Sequence, residues 1–326
     1  MDDLLPIGRG AYSPTDHNLS VWRTFAVTYN KLRPDDTVDA AALALLARAA
    51  CFAPGEPLPE GLLLAAMDRR GEAIGNESLP GEETPAPVVS PHLVDDGLMR
   101  LRELGLLERI DDEIYRLHRL IGRFVAGELA KEMAAAREAV EEAIFDEAAR
   151  QNRAGDPRAL RLWDAHIRHV VDTAFEREDE QAARLCNEMG YYLQLRGDLA
   201  GARPYTERAL AIWERVLGPE HPDTAGSLNN LGYLLQAMGD LEGARPYYER
   251  ALDIRERVLG PEHPDTAASL NNLAFLCYDE GDLPAAADLM RRALAIWEKV
   301  LGPDHPNTRG SREGLGLIEG EMTSDE

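Results

Sequence analysis

Leucines at 228, 231 and 235 fall three and then four residues apart in the stretch SLNNLGYLLQAM, with polar and small residues between them. That spacing draws one apolar stripe along a helix. Gly239-Asp240 interrupts the pattern. A second helical pattern from about Leu241 carries Ala244, Tyr248, Ala251 and Leu252 inward and stops at Leu259-Gly260-Pro261, a glycine-then-proline ending.

The same grammar returns along the chain. LGPEHPDT occupies Leu217–Thr224 and Leu259–Thr266, and LGPDHPNT occupies Leu301–Thr308, each 42 residues after the last. Gly197-Asp198, Gly239-Asp240 and Gly281-Asp282 keep that register, as do Ala202, Ala244 and Ala286, and Ala209-Leu210, Ala251-Leu252 and Ala293-Leu294. A fixed period of this length marks stacked helical hairpins, each unable to bury its apolar face alone. Pro222 and Pro264 suit a first helical turn, and Asp223 and Asp265 put negative charge at the positive end of the helix dipole. Beyond Pro303 another first helix begins (HPNTRGSREGLGLIEG), in which Arg312 stands where the repeats carry a leucine, as a polar cap requires. The acidic end EMTSDE is expected to fray. Upstream, patterns at about 132–152 and 157–177, split by Ala154-Gly155-Asp156-Pro157, predict a degenerate hairpin.

Over about residues 180–318 these units resemble tetratricopeptide repeats, in particular the 42-residue variety of kinesin light chains. The resemblance implies a right-handed solenoid of helical hairpins, each with a helix A and a helix B. Small residues are wanted where helices cross, and Gly190, Gly232 and Ala274 on helix A and Ala202/Ala209, Ala244/Ala251 and Ala286/Ala293 on helix B supply them. The resemblance also places helix A on the concave surface. There Asn187, Asn229 and Asn271 recur at the repeat interval, with Tyr191, Tyr233 and Phe275 four residues on. Four residues is one helical turn, so amide and ring share a face. An asparagine can donate to and accept from a peptide backbone at once, and a ring gives apolar area at low entropy cost. Gln194, Gln236 and Tyr278 extend the strip. Groove asparagines contact bound peptides in kinesin light chains, which implies that role for Asn187, Asn229 and Asn271. Asn230 and Asn272, one residue on, are the expected fixers of helix–helix register.

Residues 36–128 follow another pattern: a helix at about Val38–Cys51, then FAPGEPLP, then a short helix at about Glu60–Met67. A Gly/Glu/Pro-rich loop runs from Arg69 to Pro91. DDGLMRLRELGLLERI predicts a helix over Val94–Leu107 running into a strand, DDEIYRLHRL alternates as a second strand, and a helix over Gly122–Met133 completes the unit. Three helices and a β-hairpin form a winged-helix arrangement. The candidate recognition helix sets Asp95, Asp96 and Glu103 against Arg100 and Arg102, which is not a basic face for DNA. FAPGEPLPEGLL with LRELGLLERIDDEIYRLHRLIGRFV resembles the winged helix of STAND-type signalling ATPases of the NB-ARC branch. SVWRTFAVTYNKLRP over 20–34 resembles their linking helix. In that family a histidine at the end of the wing strand reaches the β-phosphate of ADP, which implies that role for His118; Arg119 departs from the family's aspartate. There is no G-x-x-x-x-G-K-[ST] phosphate loop in the chain, and Gly8-Arg9-Gly10 is too short to be one.

Charge then narrows the partners. The formal net charge is −23 over 326 residues, which repels phosphate backbones and anionic membranes and favours a basic or mixed-charge protein. Three lysines against abundant arginine fit GC-rich bacterial coding. Cys51, Cys186 and Cys277 form no C-x-x-C pair and read as small buried hydrophobes. His166 and His169 sit one turn apart beside Asp164 but lack a third ligand, while His221, His263 and His305 recur in every inter-repeat turn and read as cap residues. The carboxylate pairs Glu82-Glu83, Asp111-Asp112 and Glu141-Glu142 fall in loops or on solvated faces.

The sequence therefore predicts a mainly all-α chain: an extension and linking helix (1–35), a winged-helix-like domain (36–130), a degenerate hairpin (131–179), three repeats (180–221, 222–263 and 264–304), and a capping helix with an acidic tail (305–326). The expected function is non-catalytic binding of a protein or peptide in the repeat groove, without a cofactor, in the cytoplasm. The alternatives are the regulatory arm of a STAND-type switch, docking on a nucleotide-binding domain encoded elsewhere, and a DNA-binding regulator.

Overall fold

A computed structural model of the chain describes residues 16–67, 91–155 and 160–324. Gly8–Gly10, Glu82-Glu83, Asp156-Pro157 and most of the expected 69–91 loop lie outside the described residues. The chain divides into two compact units, 1–143 and 144–326.

The first unit holds α1 (Asp16–Tyr29), α2 (Thr37–Ala49), β1 (Pro57–Pro59), α3 (Glu60–Met67), α4 (Pro91–Glu103), β2 (Glu108–Arg109), β3 (Ile114–Arg116) and α5 (Arg119–Glu128). The strands form one antiparallel sheet in the order β1-β3-β2. Asp36 caps α2 by accepting from Val38 N–H and Asp39 N–H. Where α4 crosses α2, a Cβ on Gly97 would stand 3.1 Å from Ala42 N, so glycine permits the approach. Asp39, 3% exposed, ties the two helices together by accepting from Arg100 Nε at 2.8 Å and from Arg33 N–H at 3.0 Å. β1 was not foreseen, and α5 ends at Glu128 rather than continuing to Met133.

α6 (Met133–Ala154) begins in the first unit and ends in the second. The second unit continues through α7 (Asp164–Phe175), α8 (Glu180–Leu195), α9 (Leu199–Val216), α10 (Pro222–Ala237), α11 (Leu241–Val258), α12 (Pro264–Asp279), α13 (Leu283–Val300) and α14 (Pro306–Ser324). Helices α8, α10, α12 and α14 are the A helices, and α9, α11 and α13 are their B partners. Each A helix packs on the B helix after it, each B helix on the next A helix, and α10 also touches α8 and α12 directly. This is the repeated hairpin packing of a tetratricopeptide solenoid.

Local chemistry explains the joints. Gly239 has φ +84°, a left-handed conformation that ends α10, and Asp240 then caps α11 by accepting from Gly243 N–H at 2.9 Å. Gly260, at φ +96°, ends α11 in the same way. His263 caps α12 through Nδ1, which accepts from Asp265 N–H at 3.1 Å, and Thr266 Oγ1 donates to Gly260 O at 2.8 Å. His221 and His305 cap α10 and α14 identically, as the sequence indicated. Leu228, Leu231 and Leu235 are buried, as are Ala244, Tyr248 and Ala251. Glycine is required where the helices of the first two hairpins cross, Ala274 standing there in the third: a Cβ on Gly232 would meet the Tyr248 ring at 2.9 Å, and one on Gly190 would meet Thr206 Oγ1 at 2.5 Å. Arg312 is exposed and pairs with Glu298. α14 runs to Ser324, with Tyr278 OH on Glu321 and Arg291 on Glu319.

Candidate functional site

The A helices turn one stripe away from their B partners. On α10 it is Asp223, Gly226, Asn230, Tyr233 and Ala237; on α12 it is Asp265, Ala268, Asn272, Phe275 and Asp279. Tyr191, Tyr233 and Phe275 are 41%, 52% and 42% exposed, while the leucines on the opposite face are buried. Two depressions run along this stripe. One of about 490 Å³ is lined by Arg184, Asn229, Asn230, Arg255 and Asp265 among others. The other, about 390 Å³, is lined by Tyr233, Gln236, Tyr248, Asn271, Phe275 and Asp279. Asn272 lines both, so they form one trough.

Asn187, Asn229 and Asn271, the asparagines expected in the groove, line these depressions and also bond between repeats. Asn229 is 6% exposed and its Nδ2 donates to Ser269 Oγ at 2.9 Å, joining α10 to α12. Asn187 Nδ2 donates to Ser227 Oγ at 3.1 Å, and Ser311 Oγ donates to Asn271 Oδ1 at 3.0 Å. Each of these asparagines lines a depression and bonds to a serine of the next A helix, while Asn229 Oδ1 stays buried without a partner. Asn230 and Asn272 are the asparagines on the stripe that carries the rings, and Asn230 makes one long bond, 3.4 Å, to Asn187 Oδ1. The serines were the missed signal: Ser227, Ser269 and Ser311 recur at the repeat interval, 40 residues after Asn187, Asn229 and Asn271.

The extension of the strip divides. Gln236 accepts from Tyr248 OH at 2.9 Å and donates through Nε2 to Asp279 Oδ2 at 2.6 Å. Tyr278 donates to Glu321, and Gln194 keeps its Oε1 buried without a protein partner. Burial, with the nearby charges of Tyr233 and Asp279, pushes the Tyr248 phenol well up, so it stays a neutral donor. Arg255, a cation in the trough, is drawn inward: it donates to Asp265 O and Ser269 Oγ, and desolvation lowers its pKa. Arg184 lies over the Phe145 ring.

Elsewhere the candidates are occupied. Asp164, beside His166 and His169, accepts from Tyr192 OH and Arg196. Burial raises the thiols, Cys186 to about 12 and Cys51 to about 11, with Cys277 also raised. In the first unit, His118 is exposed and caps α5, its Nδ1 accepting from Leu120 N–H at 3.3 Å. It lines a depression of about 930 Å³ with Arg102, Arg109 and Arg116. Among the described residues no helix is long and apolar enough to cross a membrane.

Residues 181–256, 223–299 and 265–324 match the model of the tetratricopeptide repeat family. Among curated proteins none matches the chain. Solved structures similar to it include three of different kinds. The nearly identical TPR-like repeats of a putative kinesin light chain from Podosopora anserina share 25% identity, with 56% of this chain and 88% of that one covered and a TM-score of 0.45. BtubC (BKLC) from P. vanneervenii shares 25% identity over 59% and 77% of the two chains, with a TM-score of 0.49. A STAND protein with a tetratricopeptide repeat sensor from Pyrococcus horikoshii shares 13% over 96% and 59%, with a TM-score of 0.25. Hairpin packing, 42-residue period and family match together identify residues 181–324 as tetratricopeptide repeats.

Proposed function

We propose that the chain is a non-catalytic scaffold that binds an extended polypeptide segment along the exposed face of its A helices. The observation that carries this reading is the ring series Tyr191, Tyr233 and Phe275, one per repeat and 41–52% exposed, of which Tyr233 and Phe275 line one depression. Folding does not require an aromatic at those positions, whereas a bound segment gains apolar contact from each. Asn230 and Asn272 beside the rings supply amides for its backbone. The test is selection of peptides from a random display library on the full chain, followed by titration against the triple variant Tyr191→Ser/Tyr233→Ser/Phe275→Ser. Binding should fall by about a hundredfold with helical content unchanged, as expected when two or three buried contacts of about 1 kcal/mol are lost. Val258→Ser, an exposed position off the trough, should bind as the parent does. Equal binding by the triple variant, or no enrichment from the library, overturns the reading.

We further infer that the first unit is a winged-helix module serving protein contacts. The supporting observations are the order α2-β1-α3-α4-β2-β3 and its antiparallel three-stranded sheet. Against DNA readout, Arg100 on α4 is committed to Asp39, and Asp95 and Asp96 stand exposed on the same helix. A salt-dependent mobility-shift assay with duplex DNA should show no binding. Regulation of a STAND-type nucleotide domain in trans stays tied to His118, whose exposed ring lines the arginine-rich depression. His118→Ala should then speed ADP loss from such a domain, and an unchanged rate would remove the assignment.

A further inference from the structure

Between the second and third repeats the trough breaks the 42-residue pattern in two places. Thr206 and Met290 occupy the positions that correspond to Tyr248; Leu195 and Ala237 occupy those that correspond to Asp279, and on α14 the position is Glu321, which Tyr278 OH engages. As a result, one depression of about 390 Å³ is lined by three rings, Tyr233, Tyr248 and Phe275, together with a carboxylate. Tyr248 fills the space opposite Gly232 in its own hairpin, whereas Asp279 is exposed and the hairpins before it pack without a carboxylate there.

The carboxylate is oriented but not neutralised. Tyr248 OH donates to Gln236 Oε1 at 2.9 Å, and Gln236 Nε2 donates to Asp279 Oδ2 at 2.6 Å. Both donors are neutral, so they aim Asp279 without cancelling its charge. Among the described residues no cationic side chain pairs with Asp279. That sets it apart from Glu214, Glu256 and Glu262, each held by an arginine or lysine 36 or 37 residues on. Phe275 and Asp279 are one helical turn apart on α12, and Tyr233 faces them from α10. Ring faces attract a cation, and an unneutralised carboxylate beside them supplies the counter-charge.

We propose that this depression is a cation-recognition subsite, which takes one arginine or lysine side chain of the extended segment bound along the A helices. The proposal rests on the groove reading above and adds the chemistry of one ligand position. The cationic head lies among the rings of Tyr233 and Phe275 and donates to the free oxygen of Asp279. Gln236 and Tyr248 are positioning residues that fix the carboxylate.

The test uses the full chain with isotope-labelled glutamine, tyrosine and phenylalanine, and two small probes observed by NMR. One probe is N-acetyl-arginine methylamide; the other is its uncharged counterpart, N-acetyl-citrulline methylamide. The arginine probe should shift the Tyr233 and Phe275 ring signals and the Gln236 side-chain amide, and bind about tenfold more tightly than the citrulline probe. Asp279→Asn should abolish that preference, while Asp265→Asn, elsewhere in the trough, should keep it. Equal binding of the two probes, a preference that survives Asp279→Asn, or shifts that map away from these residues overturns the proposal. If library peptides need the three exposed rings but show no cation preference at Asp279, the subsite fails and the groove stands. If neither the rings nor Asp279 matters, both fail.

Discussion

Two glycines on one helix should respond oppositely to the same substitution. Gly232 and Gly226 both lie in α10. In a helix interior, glycine-to-alanine alone stabilises by about 0.5–1 kcal/mol, because glycine loses more backbone freedom on folding. At Gly226 the nearest heavy atom to an added Cβ is Arg255 Nη2 at 3.8 Å, an ordinary contact, so that gain should survive. At Gly232 the added Cβ would sit 2.9 Å from Cδ1 and Cε1 of Tyr248. The ring has nowhere to go: Tyr248 is fully buried and its hydroxyl is bonded to Gln236. Forcing an extra carbon into such a site costs about 1–3 kcal/mol, which exceeds the propensity gain and leaves a net loss of about 1–2 kcal/mol. Repeats open in local cooperative segments, so amide hydrogen exchange across α10 and α11 is the suitable measurement. Exchange should speed up roughly five- to thirtyfold in Gly232→Ala and slow roughly two- to fivefold in Gly226→Ala. Changes of the same sign and size at both positions would refute the close-approach account of the hairpin crossing.

Asn229→Ala should destabilise α10 and α12 together by about 0.5–1.5 kcal/mol, because it removes the bond that joins them while Ser269 keeps its bond from Arg255; hydrogen exchange should show both helices loosening. Asn230→Ala, on the exposed stripe, should leave their exchange rates nearly unchanged. At Asp39, burial works to raise the carboxyl, but hydrogen bonds from Arg100 and Arg33 N–H, with the charges of both arginines, outweigh it and lower the pKa. A depressed folded pKa means that the stabilisation is present above the ordinary aspartate value, about 4, and is lost as pH falls through the folded value. Asp39→Asn should therefore lower the unfolding midpoint of the first unit at pH 7, and the gap from the parent should shrink below about pH 4. The buried Cys186 thiol, pushed up to about 12, should react with iodoacetamide at pH 8 far more slowly than after unfolding in urea. Equal rates would show that α8 opens freely.

The joints of the solenoid were legible because their chemistry is short-ranged. Glycine at the left-handed position, proline in the first turn, and His221, His263 and His305 capping two residues ahead all act within a few residues, so the string LGPEHPDT carries its own explanation. The crossing glycines were legible because the period aligned them. The two asparagine sets were not separable that way. Asn229 and Asn230 are adjacent, recur together, and lie about 100° apart around a helix, so the period fits either face. What decides between them is a serine 40 residues away, a partner that becomes visible only once α10 and α12 lie side by side. β1 was hidden for a different reason: two of its three residues are prolines, which cannot donate to a ladder and mark an edge. It lies at the edge of the sheet, paired on one side to β3. The continuation of α14 to Ser324 depends on Glu319 and Glu321 finding Arg291 and Tyr278, contacts of 28 and 43 residues' separation.

Recurrence in a repeat protein is evidence of function only where the fold gives no reason for it. The histidines recur, yet each caps a helix, and Arg257 and Lys299 recur opposite Glu220 and Glu262 in the turns after the preceding B helices. Those positions are accounted for by the hairpin and its neighbour. The exposed rings are not. Each ring buries about half of its surface on its own repeat and leaves the rest open to water, more than helix packing alone asks for at 191, 233 and 275. Three repeats nonetheless keep a ring there, on the stripe that the B helices leave uncovered. Departures from recurrence carry the complementary information. Tyr248 and Asp279 each occur in one repeat, on the wall of that same stripe, and Gln236 links them by hydrogen bonds. The shared rings give the face a general affinity for an extended chain, and the unshared pair gives one point along it a preference for positive charge. A ligand selected on this surface should therefore tolerate changes at most positions and resist loss of a single cationic side chain.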